Sequence, residues 1–256
     1  MRDVNFDTLV GRFEKNIYES VKGQIRIRLL LEDLHRHVPE LDRGSLHILD
    51  AGCGTGYLSS KLANTSHQFD LCDISAEMLD LAKTRFASLG EVKSAFHQVP
   101  IQGIQEHMNK ACDLVMVHAV LEWLASPKEG LTSILGSVRP GGYLSLLFYN
   151  QYSLVYRHLI MGNYRRLNDR PLNGFGGTLT PINPLDPYEV ENWLNDANME
   201  IVCKTGIRTF YDYQTRQIKQ ERSFEDIYEM EARYARQQPF MYLGRYIHFL
   251  CFKPLS

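Results

Sequence analysis

The stretch HILDAGCGTG, residues His47 to Gly56, decides the fold: a short run of buried-strand character passes straight into a turn with glycine at positions 52, 54 and 56. A strand, a glycine-rich turn and then a helix, here GYLSSKLANTS, is how an α/β sheet offers backbone N–H groups to a nucleotide-like ligand. The spacing narrows the choice of ligand. A dinucleotide fingerprint, G-x-G-x-x-G/A, needs a small third residue, and Tyr57 stands there instead. No G-K-[ST] follows the turn, so phosphate cradling of the P-loop kind is excluded. Asp50 sits two residues before the first glycine, where its charge would repel a pyrophosphate and favour an amino group or a sulfonium. A second acid, Asp73, follows about 20 residues on at a strand end, the place from which a carboxylate accepts both hydroxyls of a ribose.

Strands and helices alternate outward from this turn. QFDLCDIS, a weaker SAFHQVP, CDLVMVHAVLEWL and GYLSLLFYN read as strands, the last following a turn at Arg139-Pro140-Gly141-Gly142. AEMLDLAKTRFASLG and GLTSILGSV read as helices between them, the first with Ser75 as N-cap and Gly90 past its end. FEKNIYESVKGQIRIRLLLEDLHRHV, stopping at Pro39, gives one or two helices ahead of the first strand. Beyond Asn150 the composition shifts to Gly, Pro, Asn and Tyr, and residues 151–185 read as a lid-like insertion. A helix PYEVENWLNDAN, a strand EIVCKTGIRTFYD, a helix near FEDIYEMEARYARQ and a strand GRYIHFLCF complete the order. The expectation is one doubly wound α/β domain with a mainly parallel, seven-stranded, Rossmann-like sheet and an antiparallel last strand. Its parts are N-terminal helices over 1–44, a ligand-binding core over 45–150, and an insertion with a recognition tail over 151–256.

Composition supports a globular enzyme or binding protein. The 256 residues are 44% hydrophobic, enough for a proper core. Cys53, Cys72, Cys112, Cys203 and Cys251 are scattered, with no C-x-x-C pair, so they read as reduced thiols of a cytoplasmic protein with no metal site. No signal-like core opens the sequence and no run approaches the roughly 18 apolar residues that span a bilayer. The net charge is -2, yet residues 201–256 hold nine Lys or Arg against six acids, and Arg157, Arg165, Arg166 and Arg170 lie just upstream. Such a basic half is a footprint that RNA phosphates can occupy.

The run HILDAGCGTG, the acid Asp73, the DLV of the later strand and RPGG together resemble the class I S-adenosylmethionine-dependent methyltransferases over residues 45–150. NIYESVKGQIR, HAVLEWLASP, LSLLFYN, GIRTFYDY and LGRYIH, running from end to end, are similar to the bacterial tRNA 5-carboxymethoxyuridine methyltransferase family. The resemblance implies S-adenosyl-L-methionine as cofactor, the anticodon stem-loop of tRNA as partner, and methyl esterification of the wobble carboxylate. It implies that Gly52, Cys53 and Gly54 line the methionine half of the cofactor, that Asp73 binds the ribose, and that Pro100 and Ile101 border the adenine. Arg26 would reach the cofactor's carboxylate, and His118 would face the reacting centre. RPLNGFGGTLTP departs from the family's lysine-rich character.

The chemistry needs no general base, because an oxyacetic carboxylate of pKa about 3–4 is already ionised at neutral pH. The protein's tasks are in-line positioning and exclusion of water. His118 therefore reads as a hydrogen-bonded strand-end histidine. Arg208 and Arg245 are the candidates to hold the substrate carboxylate, with Tyr149, Tyr211, Tyr213 and Tyr246 available to stack an extruded base. Lys22 and Arg26, one helical turn apart, would form one cationic face over the cofactor, and Trp123 and Trp193 read as core. The rivals are a small-molecule carboxylate or quinone-precursor methyltransferase of the same fold, a non-catalytic cofactor-binding regulator, and, more distantly, a nicotinamide dehydrogenase.

Overall fold

A computed structural model of the chain describes residues 20–168 and 181–255. In chain order the elements are α1 (Val21–His37), α2 (Glu40–Arg43), β1 (His47–Ala51), α3 (Tyr57–Leu62), β2 (Gln68–Cys72), α4 (Ala76–Ala87), β3 (Lys93–His97), β4 (Cys112–His118), α5 (Pro127–Leu135) and β5 (Val138–Tyr149). There follow α6 (Gln151–Ile160), α7 (Tyr164–Asn168), α8 (Pro187–Asp196), β6 (Glu200–Ile207), α9 (Arg216–Glu221), α10 (Phe224–Tyr234) and β7 (Tyr246–Phe252). The seven strands form one sheet in the order β3-β2-β1-β4-β5-β7-β6, in which β7 alone runs against its neighbours.

Side chains alternate across this sheet and divide the core in two. Ile48, Phe69, Leu71, Leu114, Met116 and Leu250 face α1, α3, α4 and α10. Leu49, Val115, Val117, Phe148 and Phe249 face α5 and α8 on the other side. Burial on both faces explains the near-continuous apolar runs of β1, β4 and β5. Helix α4 begins where expected, with Ser75 Oγ accepting from Met78 N at 3.1 Å. Gly90 follows it at φ 82°.

Three local expectations are corrected. The strand read over 200–212 ends at Ile207, because Arg208 turns the chain at φ 62°. The buried Glu231 carboxylate of α10 then accepts from the amides of Thr209 (2.7 Å) and Tyr211 (2.8 Å), wrapping the chain into a short 3₁₀ turn. The strand read over 112–124 ends at His118, where Ala119 turns at φ 58° into another 3₁₀ turn over Leu121–Trp123. Arg139-Pro140-Gly141-Gly142 is a bulge inside β5 rather than a turn before it, since pairing jumps from Cys112↔Val138 to Leu114↔Tyr143. The insertion expected over 151–185 opens with the two helices α6 and α7, and its last described residues are irregular apart from a bridge between Leu185 and Asn150. Asn150 caps α6 by accepting from Tyr152 N and donates to the carbonyls of Tyr242 and Gly244. RPLNGFGGTLTP lies outside the described residues but for Pro181, and the N-terminal segment is described only from Ser20.

At Gly206, β6 crosses the segment that leads into β7 with no room for a side chain: an added Cβ would lie 2.2 Å from the Met241 carbonyl oxygen. Gly206→Ala is therefore expected to cost about 1–3 kcal/mol, the usual scale of overpacking a filled site. Urea unfolding measures it, and an unchanged midpoint would show that the crossing can spread without penalty.

Candidate functional site

Strand direction alone assembles the site. β1, β2, β4, β5 and β6 end at one edge of the sheet, and β7, running the other way, begins there. Asp50, the glycine turn, Asp73, His118, Tyr149, Arg208, Arg245 and Tyr246 consequently share that edge. It is the rim at which ligands of open α/β sheets bind.

The glycine turn is held from beneath. Gly52 and Cys53 both donate to the Cys72 carbonyl, at 2.8 and 2.9 Å, which locks the turn to the end of β2. Gly52, Gly54 and Gly56 all adopt positive φ, at 76°, 53° and 64°. An added Cβ on Gly52 would come within 2.4 Å of Val120, so this glycine also admits the chain that leaves β4. Asp73 takes the amide of Gly54 on one oxygen (2.8 Å) and that of Ser75 on the other (2.9 Å). The carboxylate is thereby oriented at the rim, and each oxygen keeps a further lone pair.

Asp50 is buried and bonded by the Ser59 hydroxyl. Burial pushes its carboxyl up to about 7, with the Asp73 charge adding to the rise and Ser59 opposing it. A carboxyl so placed ionises readily only beside a cation. Burial drives the Cys53 thiol well up, with Asp50 and Asp73 contributing, so its thiolate is suppressed. Pro100 is exposed, whereas Ile101 is buried in the core with Ile104, which leaves the Ile101 backbone rather than its side chain for any ligand. No group of three metal-ligating side chains occurs among the described residues.

His118 stands at the head of a buried polar relay. Its Nε2 lies 2.8 Å from Ser145 Oγ, which lies 2.9 Å from His248 Nε2. His248 Nδ1 donates to Asp33 Oδ2 at 2.8 Å, and Arg236 donates twice to Asp33 Oδ1, at 2.8 and 2.5 Å. Burial lowers the His118 pKa well below its usual value, aided by His248 and Arg26, so the ring is neutral. The Asp33 carboxyl is lowered despite its own burial, through His248 and Arg236. This relay was not legible beforehand, because its members come from α1, β4, β5, β7 and the segment after α10.

The residues expected to hold a substrate lie across the rim from the glycine turn. Arg208 and Arg245 face each other where β6 ends and β7 begins, joined by Arg245 N to Arg208 O at 3.3 Å. Arg208 and Arg26 both stand over the Tyr246 ring, at 5.4 and 5.8 Å from its centroid, and Arg245 stands over Tyr149 at 5.2 Å. Tyr149 and Tyr246 meet edge to face at 5.4 Å. The arginine expected at the cofactor and those expected at the substrate thus cluster about two tyrosines. Tyr149 is buried and offers no open face in this structure, Tyr211 is buried beneath Lys219, and the Tyr213 hydroxyl is bonded to the Leu243 carbonyl. Lys22 does not stay with Arg26: it reaches Asp212, at 3.3 Å.

Two acids at this cluster carried no signal in the sequence. Asp212 lies among Lys22, Arg208 and Arg245. Glu122 is fully buried just past β4, and burial raises its carboxyl to about 8 against the pull of its own and Tyr149's backbone N–H groups and of Arg26. Neither Glu122 oxygen has a hydrogen-bond partner of ordinary geometry. Part of the expected basic footprint is also spent within the fold: Arg236 on Asp33, Lys204 on Glu191 and Lys253 on the carbonyls of Leu135 and Val138, while Arg233 pairs with Glu229 at the surface. Exposed cations of this half include Arg165, Arg216 and Arg222.

The arrangement fits S-adenosylmethionine. The glycine turn gives a close backbone approach, Asp73 presents an oriented carboxylate, Asp50 favours a nearby cation, and Arg26 can meet a carboxylate. Residues 49–144 match a family described as a methyltransferase domain. The whole chain is 40% identical to the tRNA 5-carboxymethoxyuridine methyltransferase of Escherichia coli strain K12, of which it covers 98%. Magnesium protoporphyrin IX methyltransferase from Synechocystis PCC 6803, solved with bound SAH, aligns over 97% of this chain and 96% of its own, with a TM-score of 0.65 at 15% identity. An S-adenosylmethionine-dependent methyltransferase from Clostridium acetobutylicum ATCC 824 aligns over 97% and 99%, with a TM-score of 0.62 at 14% identity. These two structures speak for the fold.

Asp50 supplies a test that needs no substrate. In the cofactor-free fold it keeps its proton up to about pH 7, whereas an unfolded chain ionises it near 3.8. Unfolding releases that proton, so this contribution to stability is present at low pH and is lost as pH rises through 7. Asp50→Asn should gain stability over the wild-type protein progressively between pH 4 and 8 in urea unfolding. A difference independent of pH would show that Asp50 is charged throughout.

Proposed function

Because the chain belongs to the tRNA 5-carboxymethoxyuridine methyltransferase family within the class I S-adenosylmethionine-dependent methyltransferases, we propose that it methylates the carboxylate of 5-carboxymethoxyuridine at the wobble position of tRNA. The single observation that carries the reading is the cluster in which Arg26, from the cofactor side, and Arg208, from the substrate side, stand over the same Tyr246 ring. An anionic acceptor held there lies beside the glycine turn's ligand. A basic, aromatic-lined rim suits an extruded nucleotide better than a free quinone precursor.

When bound, S-adenosylmethionine supplies a methyl group already activated by its sulfonium sulfur. Gly52, Cys53 and Gly54 would hold it through the backbone, Asp73 through its two oriented oxygens, and Arg26, Asp50, His118, Pro100 and Ile101 would line its remaining faces. Arg208 and Arg245 would orient the substrate carboxylate, whose ionised oxygen takes the methyl group without any proton having to move. His118, neutral and tethered through Ser145, serves as a fixed wall rather than a base. Tyr246 would support the base, with Tyr149 behind it. Exposed Arg165, Arg216 and Arg222 would meet phosphates of the anticodon stem-loop. We place the activity in the cytoplasm, where tRNA is modified; no helix among the described residues is long and apolar enough to cross a membrane.

Nucleoside mass spectrometry of tRNA incubated with the protein and S-adenosylmethionine tests this reading. One methyl gained on 5-carboxymethoxyuridine, and none on tRNA with plain uridine there, is expected; equal or absent gain on both would overturn it. Arg208→Gln and Arg245→Gln should each lower kcat/KM by about 10²-fold, the scale of losing a charge-assisted pair in a buried site. Wild-type kinetics in both variants would remove the arginines from the role.

A further inference from the structure

The carboxylate of Asp212, its side chain only 4% exposed, is ringed by cations. Lys22 Nζ lies 3.3 Å from Oδ1, and Arg208 Nη2 and Arg245 Nε lie 3.2 and 3.5 Å from Oδ2. Burial would raise this carboxyl, but Arg208 first, then Lys22 and Arg245, outweigh it and hold the group ionised at neutral pH. The contacts are nevertheless loose. Strong buried pairs of Arg and carboxylate close to about 2.7–2.9 Å, commonly through two parallel bonds. Here neither Asp212 oxygen accepts a hydrogen bond of ordinary geometry, and Arg208 Nε and Arg245 Nη1 are buried with no partner at all.

Buried N–H groups without acceptors are costly, at about 1–3 kcal/mol each. Their presence on two facing arginines marks a place for a second acceptor. Charge counting agrees. Lys22, Arg208 and Arg245 carry three positive charges against the single charge of Asp212, so one more carboxylate still leaves the cluster positive. Methylation removes that added charge. The backbone at Arg208 stands at φ 62°, next to the amides that Glu231 binds, and its guanidinium is aimed at this cluster.

We propose that Asp212 is a resident counter-carboxylate for the substrate arginines: it holds Arg208 and Arg245 in the free protein, shares them with the substrate's carboxylate, and takes them back once the product is a neutral ester. This rests on the methyl-ester reading above. Asp212 is a positioning residue, since it acts through the arginines. Its charge moderates their grip, so that the substrate oxygen remains nucleophilic rather than being stabilised in the ground state. It also narrows the preference for the anionic substrate over the neutral ester, so that the cations favour the substrate without making it immovable.

The test compares equilibrium binding of anticodon stem-loops carrying uridine, 5-carboxymethoxyuridine or its methyl ester to wild-type protein, Asp212→Asn and Asp212→Glu, together with steady-state methyl transfer. In Asp212→Asn the preference for the carboxymethoxy loop over its methyl ester should rise about tenfold, a modest share of one unscreened charge interaction at this depth. KM and kcat should fall together, and Asp212→Glu should return toward wild type. A preference that stays constant or falls in a folded Asp212→Asn protein overturns the proposal. If that variant does not fold, Lys22→Met, on the exposed face of α1, decides instead: it leaves Asp212 leaning on the arginines and should lower the same preference two- to threefold, and an unchanged or raised preference is contrary. Wild-type protein that neither prefers nor methylates the carboxymethoxy loop would sink the methyl-ester reading, and this inference with it. Wild-type preference with an indifferent Asp212→Asn would sink this inference alone.

Discussion

The carboxylate of Asp33 is the contact on which the arrangement depends. Wholly buried on α1, it receives Arg236 and His248 and lies 3.5 Å from Cys203 Sγ. One side chain thus joins the N-terminal helix to β7, to β6 and to the segment after α10. Breaking a buried charge cluster by deleting one partner strands the others, at a cost of about 3–5 kcal/mol. Helix α1 carries Arg26 and Lys22 about two and three turns upstream of Asp33, so the same contact sets the height at which those cations reach the rim. Through Ser145 it also determines the posture of His118, more than one element away.

What could be read in the sequence, and what could not, follows the range of the forces involved. The glycine turn, the strand-end Asp73 and the cap at Ser75 are local: each depends on residues within a few positions, and each was visible. The end of β6 was not. Thr209, Phe210 and Tyr211 have strong strand preferences, but the buried Glu231, some twenty residues on, takes their amides and forces a turn. Tertiary hydrogen bonding overrides propensity there. Asp212 was missed for that reason, because within an imagined strand it had no reason to meet Lys22. The relay through Asp33 spans more than two hundred residues in sequence and leaves no periodic trace.

The same contrast explains the charge of the C-terminal half. Counting Lys and Arg gave a basic segment, whereas the fold turns several of them inward as counterions and carbonyl anchors. Net charge is additive in sequence, and electrostatic potential is not, since each buried pair cancels locally. The positive character that survives is concentrated in Lys22, Arg208 and Arg245 around one carboxylate, with Arg26 over Tyr246 beside them, and on the exposed helices nearby. A ligand would sense a focused positive mouth on a protein that is nearly neutral overall.

The place of β7 has a kinetic consequence. It lies inside the sheet, between β5 and β6, and β6 touches no other strand. Until residues 246–252 arrive, β6 has nothing to pair with, and β5 keeps an open edge of apolar side chains. Assembly of the half that carries Arg208 and Arg245 must therefore wait on contacts between segments nearly forty residues or more apart, the kind that slow folding through loop closure. The glycine turn needs only β1 and β2, which pair across about twenty residues, although β1 also waits for β4. The two halves of the rim thus differ in the loops they must close, and the half that carries Arg208 and Arg245 needs the longest, between β5 and β7.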